Sequence, residues 1–117
     1  MTDGADSRRP AASKDSAMPG GPWHVYLIRT RSGALYTGIA TDVERRLRQH
    51  GKGQGSKYLR ARAPLELVYQ ARLGSRALAL RAEYRIKKLT RSGKEAIVAR
   101  APEGEALLAQ LGIPLRT

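Results

Sequence analysis

Tyr26 and Tyr36 occupy corresponding positions in two short apolar runs, and Tyr36-Thr37-Gly38 leads into a segment carrying Arg46 and His50 one helical turn apart. Much later, Glu83 falls on what should be the inner face of a second helix. Two phenols, a guanidinium, an imidazole and a carboxylate form a set that could hydrolyse a phosphodiester bond. The tyrosine hydroxyls could converge on a water, and a guanidinium matches phosphate oxygens in planar two-point geometry as charge develops. A lone carboxylate suits a divalent cation such as Mg²⁺, which keeps waters and phosphate oxygens as its remaining ligands. Each residue also has a plainer reading. Tyrosines in strands are commonly core residues with a satisfied hydroxyl. Arg46 and His50 could mark a solvated helix face, and Glu83 could pair with an arginine, since an inner-face carboxylate needs compensation.

The elements that must position these groups follow from periodicity. Residues 1–21 are rich in Ala, Gly, Ser, Asp and Pro without periodicity, so they should form a disordered N-terminal tail. Order is expected to begin at Pro22-Trp23. Residues 24–29 and 34–40 read as strands joined by a turn at Arg31-Ser32-Gly33, a β-hairpin. Gly38 inside the second strand permits a close backbone approach. Thr41 and Glu44 match a capping box for a helix reaching about His50, with Val43 and Leu47 facing the core. Residues 51–55 (GKGQG) form a flexible basic loop, and 56–62 could be a short helix. A third strand is expected over 65–73. A helix over 76–89 follows, capped by Ser75, with Ala79, Ala82, Ile86 and Leu89 as its inner stripe. Gly93 should break it, residues 94–99 could form another turn or short helix, and 103–111 a last one. The organisation is then one domain over 22–100 with a C-terminal extension over 101–117.

Charge narrows the partners. Residues 22–100 hold eighteen Lys and Arg against five acids, a net +13, whereas the two ends sum to 0 and −1. A compact domain so charged attracts polyanions and speeds encounter with them. An arginine-rich composition of no functional meaning and a membrane-surface protein are the competing explanations. The second is disfavoured by the lack of a basic amphipathic helix with a broad apolar face. Arg45, Arg48, Lys52, Lys57 and Lys88 are the candidate nucleic-acid contacts. The chain has no cysteine, which excludes disulfides and thiolate metal sites. No apolar run approaches the ~20 residues that span a bilayer, and no secretory signal is evident. A cytoplasmic protein is expected.

Val25-Tyr26, Tyr36-Thr37-Gly38, the run from Ile39 through Leu47, and His50 resemble the GIY-YIG endonuclease superfamily. Pro22-Trp23 and the stretch Ala82-Glu83-Tyr84-Arg85-Ile86-Lys87-Lys88-Leu89 are similar to its small single-domain YhbQ-like branch. The resemblance implies an α+β fold, a three-stranded antiparallel sheet flanked by helices. It also implies site roles: Tyr36, helped by Tyr26 or His50, orients or deprotonates the attacking water. Arg46 stabilises the phosphate, and Glu83 holds one divalent metal, Mg²⁺ or Mn²⁺. The implied activity is metal-dependent endonucleolytic hydrolysis of DNA, RNA or a branched nucleic acid, in repair or recombination. The chain departs from the pattern at His24, which replaces the first motif's glycine, and at Val25, Thr37 and Ile39. No asparagine matches the one some members use late in the fold, where Lys88 or Lys94 could substitute. A non-catalytic nucleic-acid-binding protein and a protein-interaction adaptor, with Arg45, Arg48, Lys52 and Lys57 as partner contacts, are the alternatives.

Overall fold

The computed structural model describes residues 21–52, 59 and 61–115. It is an α+β fold: strands β1 (Trp23–Arg29), β2 (Leu35–Ala40) and β3 (Glu66–Gly74), and helices α1 (Val43–Gly51), α2 (Arg76–Lys87), α3 (Arg91–Arg100) and α4 (Gly104–Gln110). The sheet is antiparallel in the order β2-β1-β3. That order explains why β1 reads as a continuous apolar run instead of an alternating one. It is the central strand, and successive side chains enter opposite cores. Val25 and Leu27 join Tyr69, Ala71 and Leu73 of β3 under α2, α3 and α4. Tyr26 and Ile28 face the other way, into a smaller cluster with Ala40, Val43 and Leu59. Val25, Leu27 and Ile28 are fully buried, each worth roughly 1.5–3 kcal/mol.

Helix α2 lies against all three strands. Two of its four buried residues are alanines, and Ala79, Ala82 and Ile86 are fully buried. Such small side chains let the helix approach the sheet closely. Ser75 caps it by accepting the Leu78 N–H at 3.1 Å, as the sequence suggests. The helix ends at Lys87, and Leu89 packs on the core from just beyond it.

Two expectations need correction. The cap of α1 is Asp42, not Thr41: its carboxylate accepts the Arg45 N–H at 3.0 Å. A carboxylate next to the unpaired N–H groups of a first turn is favoured by charge as well as by hydrogen bonding, and the Thr41–Glu44 pattern lies one residue out of register. Gly93 does not break a helix. It sits in the first turn of α3 and donates its N–H to Thr90 Oγ1 at 3.1 Å, so the break falls at residues 88–90. A glycine costs little where the turn is fastened by its cap. The segment read as a C-terminal extension contributes Leu107, Leu108, Leu111 and Ile113 to the larger core. Gly104 makes this docking possible, because a Cβ there would collide with the Arg72 carbonyl oxygen of β3.

The N-terminal tail, Gly53 to Gly55 of the basic loop, Lys57 and most of the proposed 56–62 helix lie outside the described residues. Leu59, from that segment, is helical and fully buried in the smaller core. None of the described helices is long and apolar enough to cross a membrane.

Candidate active site

The site grows from one pair in the hairpin register, Tyr26 opposite Gly38. A Cβ at position 38 would fall 2.5 Å from both the Cζ and the hydroxyl oxygen of Tyr26. The glycine in β2 is therefore required by a phenol lying across the neighbouring strand, the close approach expected from sequence now given its occupant. Any other residue would push Tyr26 out of place.

Tyr26 is 2% exposed, and its hydroxyl lies 3.1 Å from Nε2 of His50, which is 1% exposed. The tautomer of the imidazole decides which atom donates. His50 sits in the last turn of α1, and its ring meets Tyr36 edge-on at 5.9 Å between centroids. Burial, and then the nearby Arg46 charge, hold the imidazole below its ordinary value of 6.5. It is thus neutral at physiological pH. The Tyr26 hydroxyl is pushed up to about 12, first by burial and then by Tyr36 and Glu83, while Arg46 pulls the other way. The groups within electrostatic reach of this one phenol are Tyr36, Arg46 and Glu83, and His50 is at hydrogen-bond distance. The fold brings all five together from β1, β2, α1 and α2.

Arg46 is half-buried and donates from Nη1 to Gln49 Oε1 at 3.1 Å. Gln49 was not singled out from sequence, although its spacing of three on the helix was the available signal. Glu83 keeps 22% of its side chain exposed and meets the ammonium of Lys87 at 3.3 Å, with Lys87 itself 55% exposed. Its partner is a lysine one turn along, where the plainer alternative from sequence was an arginine. Glutamate four residues before lysine is a favourable helical pair in its own right. So open a pair leaves the carboxylate accessible.

Among the described residues, no group of three or more His, Asp or Glu could hold a metal. A single partly buried carboxylate fits a hard cation that retains most of its own waters, as Mg²⁺ does.

Other candidates are not among the groups acting on the Tyr26 hydroxyl. Arg45, Arg48 and Lys52 are exposed along α1, and Lys88 is exposed with its ammonium 4.8 Å over the Tyr84 ring. Lys57 lies outside the described residues. His24, at the position of the motif's glycine, is held below its ordinary value chiefly by burial, and its Nδ1 is buried without a hydrogen-bond partner.

The family model for the GIY-YIG catalytic domain matches residues 22–96 of this chain. The chain is 55% identical over 93 residues to a UPF0213 protein of Citrobacter koseri, covering 80% of this chain and 93% of that one. It is 54% identical over 93 residues to the UPF0213 protein YhbQ of Escherichia coli, with the same 80% and 93% coverage. A solution NMR structure of the UPF0213 protein BH0048 from Bacillus halodurans is 36% identical, covers 79% of this chain and 98% of that one, and superposes with a TM-score of 0.47.

Proposed function

The chain belongs to the GIY-YIG family, a family of nuclease domains, and from that premise we propose that it is a metal-dependent endonuclease. Its substrate is the phosphodiester backbone of DNA or a branched nucleic acid, in repair or recombination. The observation that carries this reading is the surroundings of the Tyr26 hydroxyl: a neutral imidazole 3.1 Å away, with Tyr36, Arg46 and Glu83 acting on the same phenol.

The chemistry divides among these residues. Tyr36 orients the water that attacks phosphorus. The Tyr26 phenol, pushed up to about 12, is protonated at neutral pH and cannot take up the water's proton by itself. It can relay a proton, releasing its own to His50 Nε2 as it accepts one from the water. A neutral imidazole with its proton on Nδ1 is what keeps that acceptor open. As the new P–O bond forms and the bond to the leaving sugar oxygen breaks, negative charge builds on the phosphate oxygens, and Arg46 meets it. Gln49 fixes the guanidinium by accepting one of its N–H groups. Glu83 is the residue that would hold Mg²⁺ or Mn²⁺, which when bound supplies Lewis-acid stabilisation of the phosphate. A non-catalytic nucleic-acid-binding role draws its support from the Glu83–Lys87 ion pair, which gives the carboxylate a purely structural partner.

Nicking of mixed duplex, forked and single-stranded DNA, with and without Mg²⁺ or Mn²⁺, tests the reading. Cleavage should need the metal, and Glu83→Gln should abolish it while leaving binding equal or slightly tighter, because removing a carboxylate cannot weaken attraction to phosphate. Equal losses of cutting and binding would make Glu83 a structural residue. Binding should also fall steeply with salt, with a log–log slope of ~0.9 per phosphate contact on duplex.

A further inference from the structure

Beside the Tyr26 site lies a groove of about 390 Å³. It is lined by Trp23 at the start of β1, Ile39 and Ala40 of β2, Arg45 and Arg46 of α1, and Arg76 at the first position of α2. The Arg76 guanidinium lies 5.5 Å from the centroid of the Trp23 ring. Arg46 lines the groove and also belongs to the electrostatic surroundings of Tyr26, so the two sites share a side chain. The acid among the lining residues is Asp42, whose carboxylate is engaged as the cap of α1. Three guanidiniums, an indole and an apolar patch thus meet in one concavity.

Attraction to duplex phosphates alone requires only cations on an open surface. An indentation with an indole and aliphatic lining, rimmed by guanidiniums, suits a flat base attached to a phosphate. Unpaired bases stack on aromatic rings and on arginine planes, whereas a base inside its stacked pair cannot enter such a site. We propose that the groove receives one unpaired nucleotide flanking the cleaved bond, its base against the Arg76–Trp23 pair and its phosphate toward Arg45. The protein thereby prefers DNA that is forked or single-stranded at the cut over continuous duplex. This rests on the nuclease reading above and adds its substrate class, with Trp23 and Arg76 as specificity-determining residues.

Trp23 is the one tryptophan of the chain, so intrinsic fluorescence reports on the groove directly. Titrating the Glu83→Gln protein without metal, so that nothing is cut, compares a forked DNA with a duplex of equal length. The fork should quench Trp23 emission saturably and bind roughly tenfold more tightly, the scale of one stacked base. Arg76 is exposed at the start of its helix, and Arg76→Ala should erase most of that preference with duplex affinity changed by no more than about twofold. Arg31→Ala, which removes the same charge from an exposed turn, should leave the preference intact. Equal affinity for fork and duplex, unchanged emission on binding the fork, or an Arg76→Ala loss shared equally by both DNAs would each overturn the inference. Wild-type cleavage, scored separately, tells that failure from failure of the nuclease reading, in which neither DNA is cut although both can still bind.

Discussion

Tyr26 and Tyr69 stand on neighbouring strands and point to opposite faces of the sheet, and by burial alone they are twins. They are 2% and 6% exposed, and each hydroxyl is pushed up to about 12, with burial as the leading cause. Their partners separate them. Tyr69 donates to the carbonyl oxygen of Pro102 at 2.6 Å, an acceptor that cannot take a proton at any ordinary pH, and so ties the segment before α4 to the sheet. Tyr26 meets an imidazole and shares its surroundings with Tyr36, Arg46 and Glu83. A shifted pKa therefore marks both a structural clamp and a candidate proton relay. What distinguishes them is whether the neighbour can exchange a proton and whether charged groups converge on the same atom.

The sharpest test of that contrast removes each hydroxyl in turn. Tyr26→Phe should lower the cleavage rate by roughly 10²–10⁴, the usual contribution of a positioned acid or base, whereas Tyr69→Phe should leave it within about twofold. Comparable losses from the two changes, measured in single turnover, would erase the distinction. Next in size is Arg46→Ala, expected to slow cleavage by roughly 10²–10³, as for loss of one oriented transition-state donor. Arg45→Ala should chiefly weaken binding and flatten its salt dependence, and Arg46→Lys should restore little because a point charge lacks the planar fork. Matching effects from the two alanine variants would reduce both arginines to surface charge.

Smaller effects should appear in stability. Tyr69→Phe leaves the Pro102 carbonyl without its donor, and thermal unfolding should show a loss of about 1 kcal/mol. The smallest effect concerns pH. His50 is held below 6.5 in the folded chain, so the unfolded chain takes up the proton first. The contribution of neutral His50 is complete above that value and is lost as pH falls through 6.5 toward the folded value. Chemical denaturation should show stability declining below about pH 6.5, by at most ~1.4 kcal/mol per pH unit for one proton. His24 is depressed in the same sense, so His50→Gln should remove only part of the slope. A slope unchanged by His50→Gln would assign the whole effect to other groups.

The hairpin, the third strand, α2 and its serine cap were legible because they rest on alternation, helical spacing and capping within a few residues. The cap of α1 and the course of α3 were misread where two local signals competed within a single turn, Thr41 against Asp42 and Gly93 against Thr90. Docking of α4 was not legible. It depends on Gly104 meeting Arg72 and on Tyr69 reaching Pro102, contacts more than thirty residues apart that leave no local pattern.

By itself the sequence determined the strands and helices, the concentration of positive charge on the middle of the chain, and five residues of the right chemical types at motif spacing. Propensity, periodicity and charge are properties of neighbouring residues, so they can be read along the chain. Only the tertiary structure decided that the Tyr26 hydroxyl would face His50, that Gly38 is small because a phenol lies across it, and that Arg46 lines both the site and the adjoining groove. Those outcomes depend on burial and on distances between separate elements, and burial shifts the Tyr26 phenol and the His50 imidazole only once the sheet and helices have closed around them.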